Sequence, residues 1–109
     1  MADASAEFSP QQFAAMAQQQ LAAGDALGAE GLARRAIAGR ESPAAACLVL
    51  AQVALQRGER EPAILYFERA AEGGSVAACI ELGRLYQKNG NTVEAILWFQ
   101  RAQSLQPRD

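Results

Sequence analysis

Histidine is absent from this chain. With it go the commonest general base and the usual nitrogen ligand for metals. Cysteine occurs only at Cys47 and Cys79, too few for a disulfide framework. Proline is held to 4 positions and aromatic residues to 6%, so the β-branched and aromatic enrichment expected of strands is missing. No run of like charge marks a nucleic-acid or anionic-membrane surface: 10 basic and 12 acidic residues are dispersed through both halves, for a net charge of −2. The longest apolar stretch, Cys47 to Leu55, is broken by Gln52 and is far too short to span a bilayer. The first residues lack the basic start and apolar centre of a signal peptide. These absences point to a cytoplasmic protein without a cofactor, without a nucleic-acid partner and without membrane insertion.

What is present is helix-forming. Half of the 109 residues are hydrophobic, enough for one domain with a real core. Alanine, the strongest helix former, dominates the composition. An all-α fold follows.

Internal repetition supplies the architecture. Aligning Gln56-Arg57-Gly58 with Lys88-Asn89-Gly90 pairs Cys47 with Cys79, Leu50 with Leu82, Ala63 with Ala95, Phe67 with Phe99 and Ala70 with Ala102, at a spacing of 32. A weaker copy lies upstream, where Gly24, Ala29 and Ala36 match Gly58, Ala63 and Ala70 at a spacing of 34. The repeats read as 9–42, 43–75 and 76–107, with 1–8 a flexible tail and 108–109 left over. Ser9-Pro10, Ser42-Pro43 and Ser75 look like helix starts. Gly24, Gly58 and Gly90 stop the first helix of each unit. Asp25, Glu59 and Asn91 then start the second, and Asn91 with Glu94 has the spacing of a capping box. Cys47, Leu50, Ala51 and Ala54 share a face at i, i+3, i+4 and i+7, as do Cys79, Leu82, Gly83 and Tyr86. Small residues at Ala51, Ala63, Gly83 and Ala95 allow close approach of helix axes.

Leu82-Gly83, Tyr86, Gly90, Ala95, Phe99, Ala102 and Pro107 resemble the tetratricopeptide repeat nearly position for position. The link Glu72-Gly73-Gly74-Ser75 into Leu82-Gly83-Arg84-Leu85-Tyr86 resembles the Sel-one-like variant of that repeat. The resemblance is strong in the third unit and weak in the first, where Gln20 and Ala33 replace aromatic residues. It implies three helical hairpins stacked as a short right-handed solenoid. It also implies a concave groove, lined by the first helices, that takes a peptide or helix of another protein. Its positions fall on Ala14, Gln18 and Leu21, on Leu48, Gln52 and Leu55, and on Ile80, Arg84 and Gln87. The amides suit a peptide backbone, Arg84 a carboxylate, and Leu48 with Ile80 an apolar side chain. Family members that clamp acidic chaperone tails need lysines where this chain has Ala14 and Ala77, so that ligand is not expected.

No acid, base, nucleophile and metal cluster assembles along the chain, so no catalysis is expected. Cys47 and Cys79 lie on the core stripe as inert thiols. Glu30 reads as a surface charge away from the groove. Leu65 and Leu97 are predicted to face outward among charged residues, one repeat apart. Only Arg108 and Asp109 follow Pro107, so the last helix is expected to stay open on one side. That makes Ile96, Leu97, Trp98 and Leu105, with Leu65, an association surface. Two functions therefore compete: an adaptor or chaperone working through the groove, as in small secretion chaperones and envelope scaffolds of this family, and a scaffold that assembles as a homodimer or end-to-end stack.

Overall fold

Each first helix has to stop and reverse within a few residues, and one backbone motif does this throughout. At the end of the third helix the Gly58 N–H donates to the Leu55 carbonyl, and the Glu59 N–H reaches back to Ala54. That pair of hydrogen bonds needs a residue at positive φ, and Gly58 sits at 78° without the clash a Cβ brings. The same pair of bonds recurs at Gly24, Gly74 and Gly90. The computed structural model describes residues 8–38 and 43–106. Over these run α1 (Pro10–Ala22), α2 (Ala26–Ala36), α3 (Ala44–Gln56), α4 (Arg60–Glu72), α5 (Val76–Lys88) and α6 (Thr92–Leu105). The described residues contain no strand.

The motif also governs how the following helix begins. A capping box requires a free N-cap N–H to meet the N3 side chain. The Asn91 N–H is already spent on the Tyr86 carbonyl at 2.8 Å, and the box expected with Glu94 does not form; Asn91 makes no side-chain cap bond at all. The complete box is at Ser9, whose N–H is not engaged by a preceding helix stop among the described residues. There Gln12 N–H donates to Ser9 Oγ, and Ser9 N–H donates to Gln12 Oε1. Asp25 and Ser75 cap α2 and α5 through their side chains alone. Pro43 occupies the N-cap itself and not the first turn of α3. Ser42, most of the 1–8 tail and residues 107–109 lie outside the described residues. Phe8 meets the Phe13 ring edge-on at 5.5 Å, which attaches it to α1 and not to a free tail.

The helices pair as α1–α2, α3–α4 and α5–α6 and stack into a body of 55 × 35 × 24 Å. The core has two parts. Ala46, Leu50 and Val53 of α3 close one with Phe13, Ala17, Ala29 and Ala33 of the first hairpin. Cys47, Ala51 and Ala54, one residue further round α3, close the other with Ala63 and Phe67 of α4 and Cys79 and Leu82 of α5. Thus α3 is buried on two adjoining faces, one toward each neighbour. The junctions differ: α3 rests on both α1 and α2, whereas α5 rests on α4 without comparable close approach to α3. Between α5 and α6, a Cβ on Gly83 would lie 2.5 Å from Phe99 Cε1, so this glycine sets how closely that hairpin closes.

Candidate protein-binding surfaces

The expected groove is assembled only in part. Gln52 and Leu55 of α3 join Leu21 of α1 and Gln56 around a depression of about 390 Å³. Two aliphatic walls and two amides fit a peptide, whose backbone needs partners and whose side chains need apolar cover. Gln56 follows Gln52 by one helical turn; that i+4 spacing was the signal available in the sequence. Leu48 and Ile80 are half-buried against the central core, so much of their apolar surface is already committed. Gln18, Arg84 and Gln87 are exposed but do not join the depression. Arg84 is held by Glu81 of its own helix at 3.0 Å. Ala14 is not a lining residue: it is buried in the first-hairpin core, because it falls on the stripe shared with Phe13 and Ala17.

The opposite side, formed by the second helices, carries two related depressions. One, of about 420 Å³, includes Pro62, Leu65, Tyr66 and Arg69. The other, of about 200 Å³, is lined by Glu94, Leu97, Trp98 and Arg101. These four positions match one for one across the repeat. Leu65 is 63% exposed and Leu97 55%. Trp98 is half-buried against the central core, with the Arg101 guanidinium 5.2 Å above its ring; it folds over its own repeat and leaves little for an open flank. Ile96, at 49%, and Leu105 remain exposed.

Glu30 is no idle surface charge. Its carboxylate takes both arms of Arg57, at 2.8 and 3.2 Å, and Arg34 at 3.0 Å. Hydrogen bonds from Arg57 and then Arg34 hold its pKa below the usual carboxylate value. The pair ties α2 to the end of α3. Arg34 at i+4 was legible in the sequence, but Arg57, 27 residues away, was not. Burial raises both thiol pKa values, at Cys47 and Cys79, as expected of buried thiols held away from the reactive thiolate. Among the described residues, no group of three or more His, Cys, Asp or Glu could hold a metal ion. No helix among them is long and apolar enough to cross a membrane.

Tetratricopeptide-repeat family models match residues 44–72 and 76–109. The first lies on the α3–α4 hairpin and the second on α5–α6. No curated protein matches the chain. Among solved structures the fold is similar to the crystal structure of MamA, with a TM-score of 0.74 and 24% identity over 89% of this chain. The chain spans 58% of MamA's length, and at that identity the likeness shows the fold. The α1–α2 hairpin, which neither family model reaches, stacks on α3 as a third helical hairpin. This chain is an all-α stack of three hairpins whose second and third members are tetratricopeptide repeats, a module that mediates protein–protein interaction.

Proposed function

We propose that the protein is a non-catalytic cytoplasmic adaptor or chaperone that binds a peptide or helix of another protein on its concave side. The observation that carries this is the depression between α1 and α3, where Leu21 and Leu55 stand beside Gln52 and Gln56. Gln18, Leu48, Ile80, Arg84 and Gln87 extend the surface on either side and read the rest of the ligand. The short link at Gly73-Gly74 fits the Sel-one-like variant of the repeat. To test the site, a library of short peptides is titrated against the isotope-labelled chain. Binders are expected to shift the amides of Leu21, Gln52, Leu55 and Gln56. Leu55→Asp should weaken them at least tenfold, on the order of the loss when a buried apolar contact is replaced by an unpaired charge. Affinity that ignores this change, in a variant with parental helicity, moves the binding site elsewhere.

A second reading, a self-assembling scaffold, draws support from Leu65, Ile96, Leu97 and Leu105, which are exposed on α4 and α6. It expects a concentration-dependent homodimer in light scattering, and a monomer at all concentrations argues against it.

A further inference from the structure

One helix position is used at every junction of the stack, and its last occurrence is unoccupied among the described residues. On α4, Arg60, Ile64, Phe67 and Ala71 recur at i, i+4, i+7 and i+11 and so share one face. This face receives α5. The Arg60 guanidinium donates to the Leu85 carbonyl at 3.1 Å, and Ile64, Phe67 and Ala71 lie in the core that holds α5. One repeat earlier, the equivalent of Ile64 is Glu30, which grips Arg57 at the C-cap of α3. The position therefore always reaches forward to the first helix of the next hairpin. One repeat later it is Ile96, on a face completed by Thr92, Phe99 and Gln103. Phe67 and Ala71 are fully buried, whereas Phe99 is only half-buried and Gln103 exposed. Val93, at 70%, extends the apolar area.

The helices that fill this position within the chain define what fits it. In α3 the docking stripe is Ala46, Leu50 and Val53; in α5 it is Ala78, Leu82 and Leu85. Both run small, large, large at i, i+4 and i+7. The same positions in α1 are Gln12, Met16 and Gln19. Stacking a second copy head to tail would set the Gln19 amide and the Gln12 amide nitrogen against Ile96 and Phe99 and strip them of water. Gln12 Oε1 keeps its bond from the Ser9 N–H, but apolar contact does not offset the cost of the rest. The face is thus matched to a stripe that α1 lacks.

We propose that the open face of α6 docks a helix of a partner protein bearing a small–large–large apolar stripe at i, i+4 and i+7, laid against Ile96 and Phe99 as α5 is laid against α4. The proposal rests on the protein-binding reading above but uses a different surface, so the two fail separately.

The test uses the full chain and two synthetic peptides, stapled on their outer faces and checked for helicity. One carries residues 75–89, with the α5 stripe, and the other residues 9–23, with the α1 stripe. The first is expected to bind, with amide shifts concentrated between Thr92 and Gln103. Ile96→Glu in the chain, or Leu82→Gln in the peptide, should weaken it at least tenfold. The Ile96 variant should keep parental circular dichroism, and Leu55→Asp in the groove should leave this binding unchanged. The second peptide should not bind. The proposal is overturned if the α5-type helix does not bind, if its shifts fall outside α6, or if the α1-type helix binds equally well. It is also overturned if the chain alone forms a dimer that Ile96→Glu dissolves, which would assign the face to a second copy.

Discussion

A single hydrogen atom decides how closely α5 and α6 lie. With Phe99 Cε1 at 2.5 Å from the place of its missing Cβ, Gly83 cannot enlarge without moving the ring. Gly83→Leu is expected to lower stability by about 2 kcal/mol, the usual cost of overpacking, or roughly 10 °C in a chain of this size. Thermal melts check this, and shortening Phe99 to Leu in the same chain should recover part of the loss. Glu30 carries a different kind of constraint. Its pKa is depressed in the folded chain, so the stability it lends is complete above the unfolded carboxylate value and is lost as pH falls through the lower, folded one. Glu30→Gln should therefore melt roughly 2–4 °C below the parent at neutral pH, with the gap closing in acid; a gap that widens in acid contradicts the assignment. Gly83 and Phe99 were both legible from the repeat alignment, because a helical stripe announces its own face. The Glu30–Arg57 pair was not. It depends on how one hairpin leans on the next, and no local spacing encodes that.

At the scale of the helix, the stops were easier to read than the starts. Glycine at Gly24, Gly58 and Gly90 has one structural reason to stand there. Ser, Asp and Asn before a helix have several, and which one operates depends on where the preceding backbone N–H has gone. Ser75 Oγ accepts from the Ala78 N–H at 3.1 Å, whereas the Asn91 side chain makes no cap bond. Ser75→Ala should consequently cost about 1 kcal/mol, and Asn91→Ala only a few tenths, as for a surface residue outside any special contact. Denaturant unfolding of the two variants measures the contrast, and equal losses would mean that Asn91 caps in solution. The two phenylalanines divide in the same way. Phe67 is completely buried, and Phe67→Ala should remove about 3–5 kcal/mol, a large share of the roughly 5–15 kcal/mol that holds a domain of this kind together. Phe99→Ala, with its ring partly in water already, should cost distinctly less. The alignment shows these residues as equivalents; only the stack shows that one has a hairpin beyond it and the other has none among the described residues.

Taken whole, the described stack of hairpins presents unlike faces on α1 and α6. The sequence disclosed the number of hairpins and the outward Leu65 and Leu97. The groove was harder to read, since Leu48 and Ile80 serve the core as well as the surface, and their share depends on the spread between α3 and α5. The amides of Gln12 and Gln19 at the leading face of α1 have a further consequence. A contact between different surfaces of identical copies does not close on itself, and it propagates into a fibre unless the geometry makes a ring. An aliphatic trailing face such as that around Ile96 would be half of such a contact, and an apolar leading face would be the other half. Two glutamines at the front oppose the second half, Gln19 with its whole amide and Gln12 with its amide nitrogen, since Gln12 Oε1 already accepts from the Ser9 N–H. Replacing Gln12 with Ala and Gln19 with Leu, to copy the stripe of α5, should make the chain elongate into filaments visible by electron microscopy, and adding Ile96→Glu should disperse them.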